Sequence, residues 1–276
     1  MCRRIGIAVL SAALSAVSAF SQSAASNNAK QPDQPREVIA NGGLLHTLLA
    51  APVTSQPYSA VQVQRVVRTL ADGTTIKNGP GPGHVVMRDS LGRVWIEHRL
   101  TRATANDPGI FMVFVLDPVD HTMTFWSTSE KGEKVATLVR LPAARPQSQP
   151  VSGSPQASAE TNRPQPIVST ENLGTDILEG VSVDVVKTTT IVPVGRAGND
   201  APITRTHEVW TSPDLKLTMK EEWNDPRTGD RTVQLTKFSR IEPEASMFRP
   251  PAGYKVKDLK ETLREAAEKL AEMPTD

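Results

Sequence analysis

Apolar and polar residues alternate with a period of two along most of this chain, which predicts β-strands. From Tyr58 onward, Val61, Val63 and Val67 fall on one parity, with Gln62, Gln64 and Arg68 mainly on the other. Asp72-Gly73 supplies a turn, and Thr74-Thr75-Ile76 begins the return strand. Val85-Val86-Met87, the turn Ser90-Leu91-Gly92 and Val94-Trp95-Ile96 predict a second hairpin. Ile110 to Leu116 is apolar on both parities, as a strand covered on both faces would be. After the turn Asp117-Pro118-Val119-Asp120, Met123 and Phe125 share one face, while Thr122, Thr124 and Trp126 take the other. Val135 to Leu141 closes this block.

Residues 142–170 are rich in Pro, Ser and Gln and too poor in apolar area to fold, so they predict a disordered loop. Alternation then resumes. Val181, Val183 and Val185 lead to Ile191-Val192, Ile203 to Trp210 follows, and Leu215, Leu217 and Met219 alternate with lysine and threonine. The turn Asp225-Pro226-Arg227-Thr228-Gly229-Asp230 opens a strand that runs through Val233 and Leu235 to Ile241. Near the end the period changes. Asp258 with Glu261 resembles a capping box, and Leu259, Leu263, Ala266, Ala267 and Leu270 form one helical face. About eleven strands in two blocks fit one bent sheet over residues 53–256, interrupted by the loop, with a C-terminal amphipathic helix at 257–276. Two small domains are the alternative.

The beginning of the chain reads as an address. Arg3 and Arg4 precede the uncharged stretch Ile5 to Phe20, and Ala19-Phe20-Ser21 ends in small residues. This predicts a signal peptide over residues 1–21 and an exported, periplasmic or secreted protein. The stretch is too short and too rich in serine to span a bilayer, and no later apolar run is long enough either, so no transmembrane segment remains after its removal. The only cysteine, Cys2, leaves with the signal, which excludes a lipoprotein anchor and a disulfide framework. Residues 22–52 read as a flexible tether ending in a short apolar patch, Leu44-Leu45 and Leu48-Leu49. With 31 Lys and Arg against 30 Asp and Glu, the chain lacks the basic face that a nucleic-acid partner requires.

Several segments of the second block carry a resemblance. They are Glu171-Asn172-Leu173-Gly174-Thr175, Leu178-Glu179-Gly180-Val181, Thr188-Thr189-Thr190-Ile191, His207-Glu208-Val209-Trp210-Thr211-Ser212-Pro213-Asp214-Leu215 and Met247-Phe248-Arg249-Pro250-Pro251-Ala252-Gly253-Tyr254. In them the chain resembles a group of uncharacterised secreted bacterial proteins. More remotely, it is similar to the LolA-like superfamily of periplasmic lipoprotein carriers and sigma-factor-regulator sensor domains. That resemblance implies an antiparallel half-barrel whose concave, apolar side is covered by helices and receives acyl chains. No functional residue of the carriers maps by motif onto this chain.

Catalytic motifs are missing. Gly79-Pro80-Gly81-Pro82-Gly83 lacks the backbone donors of a phosphate loop, because two positions are proline. His207-Glu208 opens like a zinc-protease helix, but Thr211 stands where the second histidine belongs, and the segment alternates as a strand. His46, His84, His98, His121 and His207 show no ligand spacing, so no metal or other cofactor is expected. Neither Gly-x-Ser-x-Gly nor Ser-x-x-Lys occurs. Glu221, Glu222 and Asp225 read as a solvated strand end. The remaining candidates are apolar: Phe114, Phe125, Trp126, Trp210 and Trp223 either fill a core or line a ligand cavity. The expectation is a non-enzymatic exported protein that binds a lipid or an acylated protein in a half-barrel. An envelope sensor or protein-interaction module with a self-filled core is the alternative, and an exported hydrolase stands third.

Overall fold

The computed structural model describes residues 52–79, 83–99, 109–129, 133–141 and 164–271. The expected signal peptide, tether, Leu44–Leu49 patch and most of the Pro-rich loop lie outside them. The described strands are β1 (Tyr58–Thr69), β2 (Thr75–Asn78), β3 (His84–Arg88), β4 (Val94–Arg99), β5 (Phe111–Asp117), β6 (Thr122–Ser127), β7 (Val135–Arg140), β8 (Ile167–Leu178), β9 (Val181–Val192), β10 (Ile203–Ser212), β11 (Leu217–Asp225), β12 (Gly229–Ser239) and β13 (Lys255–Asp258). Among the described residues one α-helix, α1 (Leu259–Ala271), follows them, and a short 3-10 turn spans Ala245–Phe248. All thirteen strands belong to one sheet, in the order β13-β7-β6-β5-β4-β3-β1-β12-β11-β10-β9-β8, with β2 paired to the outer part of β1.

The junction between the two sequence blocks is β1 against β12. Gln62 stands opposite Leu235, Gln64 opposite Val233 and Val66 opposite Arg231. Every pairing is antiparallel except β13 against β7, which is parallel. The chain reaches that far edge by crossing the sheet between β12 and β13. Gly229 makes the β11–β12 turn possible: its φ is +90°, and a side chain there would collide with the Val67 carbonyl.

The sheet curls into a half-barrel, and its apolar clusters fix the direction of the curl. One cluster joins Tyr58, Ala60, Val86, Val94, Ile96 and Leu116 from β1 and β3–β5 to Val183, Val185, Trp210, Leu217, Met219 and Leu235 from β9–β12. Strands so far apart in the sheet order meet only if this face is the concave one. Leu215, fully buried in the β10–β11 turn, fills the same cluster. A second cluster, Trp95, Val113, Val115, Trp126 and Ala136, lies on the convex face under Phe248, with Tyr254 packed against it. The crossing segment is therefore a strap over β4–β7. Its Tyr254 hydroxyl donates to the Ser127 carbonyl at 2.7 Å, and Glu242 accepts from the Ser90 backbone N–H at 3.0 Å. Each large side chain buried this way contributes about 1.5–3 kcal/mol.

Several expectations need correction. In β1 the apolar-looking parity of Val61 and Val63 is only half-buried, and the buried parity is Tyr58, Ala60 and Gln62. Both faces of β1 are covered at its start, so the alternation of valine and glutamine does not report which side is inside. Strand β8 begins at Ile167, within the segment 142–170 expected to be loop. Its Ser169, Thr170 and Glu171 pair with Thr189, Thr188 and Lys187, a polar strand that alternation alone does not reveal. Residues 255–258 form β13 before the helix starts. Asp258 then caps α1, accepting from the Lys260 backbone N–H at 2.9 Å, as its spacing from Glu261 suggests.

Candidate functional site

The concave face divides into a packed end and an open end. At the packed end Arg88 is fully buried and fully used. Its guanidinium lies 5.0 Å from the Tyr58 ring centre, with Nε donating to the Gln56 carbonyl and Nη2 to the Leu215 carbonyl. That last bond ties the β10–β11 turn to β3 and closes the curl. Between the two ends is a crevice bordered by Gln62, Met219, Glu221, Val233 and Leu235, holding about 10 Å³, close to the room one water needs.

The open end has two walls. On β5 and β6, Phe114 and Phe125 are cross-strand partners with ring centres 5.9 Å apart, and both are half-buried. Leu116 and Met123, the next pair on this face, lead back towards the packed cluster. On β9–β12 the second wall is polar and aromatic. Thr188, His207, Trp223 and Arg231 stand directly opposite one another across the four strands. His207 stacks on Trp223 with ring centres 4.8 Å apart and planes 9° apart, and the Arg231 guanidinium lies 4.7 Å from the same indole. Glu221, only 6% exposed, faces His207 with 3.3 Å between Oε1 and Nε2. Strand alternation from the buried Leu235 places Arg231 on the concave face.

The five aromatic residues singled out in the sequence do not share one surface. Phe114 and Phe125 face the concave side. Trp210 is in the packed cluster under its cross-strand partner Lys220, whose Nζ is 4.1 Å from the ring, and it stands on the opposite face of β10 from His207. Trp223 belongs to the open wall. Trp126 is buried on the convex face, edge-on to Tyr254 at 6.4 Å, so it lines no part of the concave surface. It follows Phe125 directly, and neighbours on a strand point to opposite faces.

Sequence spacing also missed three polar arrangements. Glu221 is buried rather than solvated; of the three carboxylates expected at a solvated strand end, Glu222 pairs with Lys220 at 2.7 Å and Asp225 with Arg227 at 2.6 Å. The Arg227 bonds hold the Asp225 carboxyl down at about 2. His84 and His98 stack with ring centres 4.3 Å apart, which the thirteen residues between them conceal. Burial, and then the neighbouring His98, lowers the His84 pKa. The third is the His207–Glu221 contact, which follows from the β10–β11 register once the hairpin is recognised. Among the described residues no three His, Cys, Asp or Glu side chains come together as a metal site.

No protein-family model and no curated protein matches this chain. Solved structures overlap with it remotely. Two structures of PNGF-II share 14% identity at a TM-score of 0.34, and the chain spans about a third (33%) of their length while 76% and 78% of it is covered. An uncharacterised conserved protein from Thermus thermophilus overlaps at a TM-score of 0.35 and 11% identity, over 74% of this chain and 91% of that one. A LolA superfamily protein from Nitrosomonas europaea overlaps at a TM-score of 0.27 and 8% identity, over 75% of this chain and 96% of that one.

Proposed function

We propose that this chain is an exported, non-enzymatic protein that binds an apolar ligand, a lipid or an acylated protein, on the concave face of its half-barrel. One observation carries the reading: Phe114 and Phe125 are left half-buried on the inner wall, next to the fully buried Leu116 of the packed cluster. Large apolar groups facing an open concavity gain about 25 cal/mol per Å² when a guest removes them from water. Phe114, Phe125 and Trp223 are the ligand-facing residues of this reading; Trp210, buried under Lys220, and Trp126, buried under the strap, are not among them. The crevice at the centre is far smaller than an acyl chain, so the ligand occupies the open end and extends inward only as the sheet opens.

A second reading has its own support. The packed cluster already joins both halves of the sheet, as the self-filled core of an envelope sensor or protein-interaction module would. Native mass spectrometry of the exported protein, purified without detergent, separates the two. Near-stoichiometric acyl lipid in the same preparation supports the carrier reading. A bare polypeptide mass that stays bare after lipid is offered contradicts it and leaves the interaction module.

A further inference from the structure

Arg88 and Arg231 are both arginines stacked on aromatic rings of the concave face, yet their donors fare differently. Arg88 spends its guanidinium on two backbone carbonyls. Arg231 has Nε and Nη2 sealed from solvent with no acceptor among the described residues, and it makes no ion pair there. An unmet buried donor is costly, and a cationic one more so, which leaves the group in need of an explanation. The one buried carboxylate on the neighbouring row, Glu221, is directed at His207. Arg231 itself is half-buried, so the guanidinium lies on the border between the packed crevice and the open wall. Beside it the Trp223 and His207 rings form a flat stacked surface, and two residues further along β12 lies Val233, which borders the crevice.

We propose that Arg231, with Trp223 and His207 beside it, receives the anionic head of an amphiphile whose apolar part lies on the concave face. The inference rests on the apolar-ligand reading above and specifies its ligand: an acyl chain ending in a carboxylate or phosphate. The planar fork of a guanidinium matches two oxygens of such a group, and partial burial strengthens the pairing. A stacked arginine with only a structural role would turn its donors to water or to a carbonyl, as Arg88 does.

The test compares a fluorescent polyunsaturated C18 acid with its methyl ester, each titrated into the purified full chain. The acid is expected to bind about tenfold more tightly than the ester, the effect of one charge-assisted hydrogen bond. Arg231→Met should bring the acid down to the affinity of the ester and leave the ester within twofold, which also shows that the variant is folded. Arg231→Lys should keep part of the preference for the acid. Acid and ester binding equally well to the unaltered protein would overturn the headgroup site while leaving the apolar-ligand reading intact. Binding of neither would overturn both. Equal loss of both probes in Arg231→Met would mark a structural arginine, and displacement of the acid by acetate at low millimolar concentration would mark a plain anion site; either overturns the proposal.

Discussion

Strands β4–β7 and strands β8–β9 lie at opposite ends of the same sheet and are paired in the same antiparallel manner. Their cover differs. In β4–β7, Trp95, Val113, Val115, Trp126 and Ala136 are sealed beneath the strap on the convex face, while Ile96 and Leu116 are sealed on the concave one. In β8 every residue except Leu178 is exposed, including Ile177 at 71% and Ile167 at 63%. The two edges differ as well. The β7 edge carries the short, lysine-bearing β13, which is a poor template for another chain, whereas the outer side of the twelve-residue β8 pairs with no strand among the described residues. Backbone pairing alone therefore does not set local stability here. The face-covering side chains do, and they concentrate the rigidity at the strapped end.

The largest expected effect removes the strap's anchor. Phe248→Ala vacates the site over Trp95 and the Arg93 guanidinium, which lies 4.9 Å from the ring centre. It should destabilise by about 3 kcal/mol in urea unfolding, and a change within about 0.5 kcal/mol would show that the strap does not hold the covered end. An intermediate effect belongs to the β11–β12 turn. The Asp225 carboxyl titrates near 2 in the folded protein, below its ordinary value of 3.8. Its contribution is thus present above about pH 4 and is lost as pH falls towards 2; because the site is partly exposed to water it amounts to no more than about 1 kcal/mol. Asp225→Asn should flatten that part of the stability curve between pH 2 and 5, and an unchanged slope would refute the assignment. The smallest effect on stability is at the bare edge. Ile177→Lys should leave the urea midpoint within about 0.5 kcal/mol of the original and raise the concentration at which light scattering detects association.

Much of this contrast is legible in the sequence, and the illegible parts have physical reasons. The run Ile110 to Leu116 announces a strand covered on both sides; β5 buries Val113 and Val115 on its convex face and Leu116 on its concave one, and leaves Met112 and Phe114 half-buried. Asp258 and Glu261 announce the start of α1, and Asp258 caps it. Alternation fails where polar residues do the pairing. The Thr- and Glu-bearing start of β8 is stabilised by its register against Thr188–Thr190, not by an apolar face. It also fails at β1, where Gln62 is buried because it lies above the crevice rather than in solvent. The candidate site is harder still to read. His207, Glu221, Trp223 and Arg231 have no motif spacing and meet only through two hairpin registers. Trp126 reads as a candidate until the strap, a segment more than a hundred residues further on, is found covering it.

The central claim is that the open end of the concave face receives an apolar guest while the strapped end stays as it is. Hydrogen exchange of the backbone amides, measured with and without a saturating C18 fatty acid, tests it directly. The account predicts slower exchange in β10–β12 and in β5–β6 around Phe114 and Phe125, with β7 and β13 unchanged. Identical exchange with and without the fatty acid, or a uniform slowing over all strands, would contradict it.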